Sequence, residues 1–462
     1  MDFKKNILRV FSANFINMLV GIITGLVIPI FLSVSEYASL KTFTFYLSYI
    51  GLLHFGFVDG QFLKYGGKEI DDVNINELKG ESKFFFIFQG IITLFFILLS
   101  IILKDEIIFL FSLCIIPLNM QALYKFFYQA TGEFKLYSRV TNTLSFLILA
   151  MISINIFILR NDTSLSFCIG YIIIYYGLYV YLLVKFNQRN KVSKVVFNKE
   201  GICDNFKSGI GIMIGNFSVL FFFAIDRWFV KLAFDSTQFA YYSFAVSMMT
   251  FITVMINSVT TIMYNYLAKG VEEKKIRDIK SYLVVVGVFA SGAYFVFGEI
   301  INLFIQKYIP SLYIIAFLFA TFPFMIVINA IYINLYKVKK MQKTYVTTVF
   351  KMLICAGILN FIAVIVFKNS EAVAYATLIS FGIWYLYSMK HFKFTKGNLK
   401  DATYIVLCMA TFLINSHLDN LILGFVFYYV LVIIFSFIYK KNEIISFITT
   451  NDIKKYFKFN KE

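Results

Sequence analysis

Residues 84–103 read FFFIFQGIITLFFILLSIIL, a run of twenty positions without a charge. Wound as an α-helix at 1.5 Å per residue, such a run is about 30 Å long, the thickness of a bilayer's hydrocarbon core. Lys104, Asp105 and Glu106 close it, and a second apolar run, 107–128, follows at once. A connector that short turns the chain straight back, so the two runs predict a membrane hairpin.

Working outward, apolar windows of about this length recur along the whole chain. Fourteen are found: 8–32, 40–60, 84–103, 107–128, 140–159, 165–184, 209–234, 240–266, 282–304, 311–335, 345–367, 372–389, 402–417 and 420–439. The composition agrees. Of 462 residues, 60% are hydrophobic and only 15% charged, with a mean hydropathy of +0.76. Soluble chains carry about 25% charge to cover their surface. The expected fold is therefore an all-α integral membrane protein of about fourteen transmembrane helices.

The net charge of +17 raises the possibility of nucleic-acid binding. The placement of the charges argues against it. If odd-numbered helices leave the cytoplasm, 35 of the 43 Lys and Arg fall on inner connectors or inner helix ends. That asymmetry is the positive-inside pattern, and it predicts a multi-pass membrane protein with both termini in the cytoplasm. No small-residue cleavage site follows the first span, so a removable leader is not expected. The outer connectors are all short and leave no room for an external catalytic domain. The five cysteines are scattered without metal or redox spacing, and no helix carries a metal-binding cluster. No Walker-type loop is present, which argues against direct ATP hydrolysis, and no cofactor is expected.

Self-similarity appears at a separation of six spans. At an offset of 202, Asn14-Phe15 falls on Asn216-Phe217, and Glu36-Tyr37-Ala38 on Gln238-Phe239-Ala240. The fourth and tenth spans each hold a mid-span proline, Pro117 and Pro323, and each ends in Leu-Tyr-Lys. Two parallel six-helix lobes follow, 1–190 and 205–395, then an extra helix pair, 400–440, and a basic tail, 441–462. Repeats of this kind rock around a midplane site, which predicts an alternating-access transporter.

Several segments carry a family resemblance: Phe31-Leu32-Ser33-Val34-Ser35-Glu36-Tyr37-Ala38, Leu53-His54-Phe55-Gly56-Phe57-Val58-Asp59-Gly60, Gln129-Ala130-Thr131-Gly132-Glu133-Phe134-Lys135-Leu136-Tyr137, Ile225-Asp226-Arg227-Trp228-Phe229-Val230 and Tyr241-Tyr242-Ser243. In this order, with fourteen spans, the chain resembles the Wzx-type polysaccharide flippases. These belong to a superfamily that includes the MATE exporters and the MurJ-type lipid II flippases. Ser33 and Ala38 stand where such proteins often have glycine. The resemblance implies an undecaprenyl-diphosphate-linked oligosaccharide as substrate, carried to the outer leaflet for O-antigen or capsule-type synthesis. A polysaccharide polymerase and a chain-length regulator are the implied protein partners.

Moving a diphosphate through hydrocarbon needs a polar, cationic path, because a bare charge there costs several kcal/mol. Arg227 is the first candidate, with Lys231 four residues on along the same helix face. An Arg fork suits a diphosphate. The competing reading is that both reach to the outer interface. Asp226, about 100° around the helix, is a switchable partner for a cation or a tie to a neighbouring helix. Lys351 is placed to meet the headgroup early or to anchor at the interface. Lys125 and Arg139 line a vestibule or serve as positive-inside anchors. Asp59 reads as a local cap or pair, or as a polar group of the transport path, and Glu299 as a site for H⁺ or Na⁺ coupling. Asn14 and Asn17 share a face and suit sugar hydroxyls or helix–helix hydrogen bonds. Pro29, Pro117 and Pro323 are expected to kink their helices. Two other functions stand beside the flippase: a cation-coupled multidrug exporter, which would favour buried acids, and a membrane-embedded glycan polymerase or ligase, which would need an external loop.

Overall fold

The computed structural model describes residues 20–21, 23–189 and 194–449, without the side chains of 261, 265 and 442–449. Among these residues every regular element is helical. Among the described residues, nine helices are long and apolar enough to cross a membrane, or eleven if each of two bent pairs is one span. Of the fourteen expected spans, the first lies mostly outside the described residues. The second is not a continuous helix, and the thirteenth is a helix of 18 residues, Leu399–Ser416.

The chain forms two compact units, Met1–Leu220 and Phe221–Glu462. In the first, residues 23–31 are helical. After them come α1 (Val34–Leu47), a 3-10 turn at Ile50–His54, α2 (Phe57–Tyr65), α3 (Ile75–Leu103), α4 (Glu106–Ala130), α5 (Phe134–Ser153), α6 (Ser164–Arg189) and α7 (Lys199–Phe222). Helices α1 and α2 together occupy the expected second span, 40–60. The break has a local cause: Phe55 and Gly56 both take positive φ, 49° and 82°, which ends the 3-10 turn and re-aims the chain.

Short connectors work as caps. The side chain of Asp105 accepts hydrogen bonds from the Ile107 and Ile108 amides at 2.8 and 3.1 Å. Ser33 and Asn74 cap α1 and α3. Each satisfies amides that a helix start leaves without intrahelical partners. These caps also explain why helices run past the apolar windows. The first turns of α3 are polar, so hydropathy places its start at 84, yet the helix begins at Ile75.

On α3, Ile91, Leu94, Phe95, Leu98 and Ile102 are exposed at helical spacing. That stripe faces lipid. The opposite face carries Phe85, which stacks on Phe57 with ring centroids 4.8 Å apart. Buried polar groups join helices inside this unit. Asn119 donates to Gln89 at 2.7 Å, and Gln89 donates to the Leu53 carbonyl at 3.0 Å. Gly56 and Gly60 let α2 approach α7 closely. A Cβ on Gly60 would collide with the backbone of Asn205, and one on Gly209 with the backbone of Gly56. This contact carries the start of α7 with the first unit, which runs to Leu220.

The second unit holds α8 (Ile225–Ala233), α9 (Ser236–Leu267), α10 (Glu273–Ser291), α11 (Ala293–Phe304), α12 (Leu312–Phe319), α13 (Phe322–Val327), α14 (Ile333–Val338), α15 (Gln342–Ile362), α16 (Ser370–His391), α17 (Leu399–Ser416) and α18 (Leu421–Thr449). A bend of 41° separates Gln306–Phe319 from Phe322–Val338, and Pro323 sits in the first turn after it. Proline suits that position because its missing N–H is not needed there. Helix α4, by contrast, runs without interruption through Pro117, and Pro29 lies within the helical residues 23–31. The last pair packs on this unit. Tyr428 and Tyr429 of α18 donate to the Val288 and Phe289 carbonyls of α10 at 2.6 and 2.9 Å.

Candidate functional site

The expected seventh span, 209–234, breaks at Phe223–Ala224, and α8 starts there. The Ala224 amide bonds back to Phe221 in a tight turn, at 3.1 Å. A fresh helix start has amides to satisfy, and Ala224 has no side chain able to cap it. Asp226, one residue inside the helix, takes that role. Its Oδ1 accepts from the Arg227 amide at 2.7 Å. A carboxylate in a first turn is also favoured by the helix dipole.

Oδ2 of Asp226 faces the other way, into the packing of this unit. It accepts from the Tyr242 hydroxyl of α9 at 2.7 Å and from Thr377 of α16 at 3.4 Å. The side chain is buried at 5% exposure. Its three donors are neutral, so Asp226 ties three helices together. Arg227 is half-buried, as is Lys231. The Lys231 ammonium lies 5.1 Å from the centre of the Phe239 ring, at the start of α9. Leu232 on the same helix is 79% exposed, which sets the lipid-facing side of α8.

Ile225 packs against Gly357 of α15. Lys351 lies six residues, or about 9 Å, earlier on that helix. It is exposed, and its Nζ donates to the Tyr387 hydroxyl at 3.1 Å. Tyr387 stacks edge-on against His391, whose Nδ1 is 2.6 Å from the Tyr336 hydroxyl. Lys351 therefore ends a polar track across α14, α15 and α16. Asn360, one helical turn beyond Gly357, is fully buried, and neither atom of its amide has a hydrogen-bond partner among the described residues. Glu299 is half-buried on α11. The structure thus gathers Asp226, Arg227 and Lys231 on one short helix and puts Lys351 in a separate cluster of the same unit.

In the first unit, Asp59 lies beside His54, with 3.8 Å between Oδ2 and Nε2. The His54 Nδ1 accepts from the Gly56 amide at 3.1 Å. This pair follows from the break in the second span, where the chain folds back on itself. Lys125 is half-buried over the Tyr137 ring at 5.5 Å, and Arg139 is exposed. Asn14 and Asn17 lie outside the described residues.

Sequence reasoning missed one cluster. Lys64 Nζ donates to Glu77 and to Glu81, each at 2.6 Å. Tyr65 and Gln61 also donate to Glu81, at 3.1 and 3.4 Å. The Glu81 side chain is fully buried. In the sequence all of these residues except Gln61, which lies just before it, belong to a polar connector, 64–83. The available signal was spacing: Glu77 and Glu81 are four apart, and so are Gln61 and Tyr65, which places each pair on one helix face.

No family model matches the chain, and no curated protein matches it in sequence. Solved structures do match. The chain shares its fold with solved membrane transporters, and its apolar helices make it a multi-pass membrane protein. One similar structure is the lipid II flippase MurJ in an inward closed conformation. It aligns over 95% of this chain and 100% of its own, with a TM-score of 0.72 and 16% identity. Another is an outward-facing MATE family multidrug resistance transporter, with a TM-score of 0.52 and 14% identity over 86% of this chain and 96% of its own.

Proposed function

We propose that the protein is a flippase. It moves an undecaprenyl-diphosphate-linked oligosaccharide from the cytoplasmic to the outer leaflet of a bacterial inner membrane by alternating access, supplying O-antigen or capsule-type polysaccharide assembly. The observation that carries this reading is Arg227, a half-buried guanidinium on a short helix that starts inside an apolar span. Intramembrane charge is retained where function needs it. The fold, which a lipid II flippase also has, supports the same reading.

Arg227 and Lys231 would hold the diphosphate, and Lys351 would meet it on entry, with Lys125 and Arg139 at the vestibule. No covalent step is required, so the protein is a transporter and not an enzyme. Glu299 and Asp226 are the acids available for H⁺ or Na⁺ coupling. A polymerase and a chain-length regulator would take the product.

The test is the fraction of lipid-linked oligosaccharide open to a membrane-impermeant label on spheroplasts, with and without the protein. Loss of the outer-leaflet fraction without the protein supports the proposal; an unchanged fraction in a strain lacking any second flippase ends it. A cation-coupled exporter is the second reading, favoured by the buried Asp226. Drug efflux that depends on Asp226, with no change in the labelled lipid, would select it.

A further inference from the structure

The segment Lys194-Val195-Val196-Phe197-Asn198 leads into α7 and belongs to the first unit. Its backbone is held against the start of α3. The Lys194 amide donates to the Asn76 side chain at 2.7 Å, and the Val196 amide to the Asn76 carbonyl at 3.0 Å. Gly80, one helical turn further on, leaves the room for this approach, since a Cβ there would collide with the Val196 carbonyl. Asn198 fixes the other end. Its Nδ2 donates to Glu77 at 2.9 Å, and its Oδ1 accepts from the Gly201 amide at 3.1 Å, capping α7. Tied at both ends, the segment turns three consecutive apolar side chains outward. Val195, Val196 and Phe197 are 46%, 48% and 53% exposed. A contiguous exposed apolar patch marks a surface that another body covers.

The height of the segment in the membrane follows from α3. The last charge before the apolar run of that helix is Lys83, which is exposed, and the lipid-facing stripe opens at Phe86 and Ile87. Gly80 lies four residues before Phe84, about 6 Å along the helix axis. The headgroup layer of a bilayer is about 5–7 Å deep on each side. Val196, packed on Gly80, therefore stands level with the headgroups, and its neighbour Phe197 is within reach of the acyl boundary. The flanks suit that depth. Lys194 and Lys199 are exposed on either side of the triplet, and Glu200 is the acid that follows. Apolar side chains between lysines match a segment that lies in an anionic interface.

We propose that this segment is an interfacial anchor, with Val195, Val196 and Phe197 inserted among the headgroups of the adjacent leaflet and Lys194 and Lys199 against the phosphates of anionic lipid. The hydrogen bonds to Asn76 and Glu77 hold it in one conformation beforehand, so insertion costs little further ordering. The anchor fixes the connector ahead of α7 to the bilayer as well as to α3. It is separate from Arg227 and does not depend on what the protein transports.

The test uses the full chain in lipid vesicles and compares the fluorescence of Phe197→Trp with that of the wild type, whose Trp228 and Trp384 supply the background. The substitution keeps an exposed aromatic ring, so the variant should melt like the wild type in detergent. Its added emission should be blue-shifted, and lipids brominated near the headgroup should quench it more than lipids brominated at the chain end. In vesicles of equal parts phosphatidylglycerol and phosphatidylcholine, with bromine on one lipid at a time, phosphatidylglycerol should quench at least about twofold more. Adding Lys194→Gln and Lys199→Gln should remove that difference and leave the depth unchanged. Water-like emission, quenched by iodide and not by bromolipid, would place the segment in solvent and overturn the proposal. Shielding from iodide without bromolipid quenching would mean that another protein chain covers the patch, and would overturn it too. Equal quenching by the two lipids would overturn the assignment to anionic lipid.

Discussion

Tyr242 donates a 2.7 Å hydrogen bond to the buried carboxylate of Asp226, fixing α9 to the first turn of α8. Hydrogen bonds to charged groups contribute about 1.5–3 kcal/mol. Tyr242→Phe should therefore lower thermal stability in detergent by an amount in that range. Asp226→Asn should cost less than Asp226→Ala, because an amide oxygen still accepts from the Arg227 amide. The double variant Tyr242→Phe with Asp226→Asn should show a coupling above about 0.5 kcal/mol. Strict additivity would mean that the two side chains act independently.

Gly60 lies against the backbone of Asn205, with no flexible side chain to give way. Gly60→Ala must push α2 from α7. Overpacking costs about 1–3 kcal/mol even where side chains can move. The variant should melt lower and accumulate less in membranes. Gly67→Ala is a control for the left-handed backbone, since Gly67 has positive φ with open space around it. A wild-type melting curve for Gly60→Ala would mean that the two helices have room to separate.

Glu81 is fully buried and Lys64 is its only basic partner among the described residues. Removing the lysine alone leaves a buried carboxylate without its cation, a loss of about 3–5 kcal/mol for a pair of this kind. Lys64→Met should therefore be severely destabilising, and Lys64→Met with Glu81→Met should recover part of the loss. Chemical denaturation or thermal melting of the three proteins decides it. A double variant weaker than Lys64→Met would show that Glu81 is held mainly by Tyr65 and Gln61.

The membrane class was legible because hydropathy and charge placement act over twenty residues at a time, and no local detail can hide them. Breaks were not legible for the same reason. The second span reads as one apolar window, yet Phe55 and Gly56 turn the chain inside it. The seventh breaks at Phe223–Ala224, where no glycine or proline marks the place; packing of Asp226 against Tyr242 and Thr377 fixes it instead. The Lys64 cluster was hidden because a hydropathy window scores polar residues as connector whether or not they pair. Arg227 and Asp226 stood out as charges in an apolar run, but only the geometry assigns the aspartate its three donors.

The last prediction separates transport from stability. Lys351 is exposed and its partner is the Tyr387 hydroxyl, so Lys351→Met removes little packing. Its melting temperature should match the wild type within the effect of about 0.5 kcal/mol usual for surface changes. Arg227→Lys keeps the charge of Arg227 but loses the planar fork that engages two phosphate oxygens together. On the proposed function, the labelled outer-leaflet lipid should fall about tenfold in Arg227→Ala, a loss of about 1.4 kcal/mol, and should be only partly restored in Arg227→Lys. Lys351→Met should slow flipping at low substrate and approach the wild type at high substrate, as expected of a group that binds on entry. Arg227→Ala with normal labelling and normal stability would remove the diphosphate site from α8.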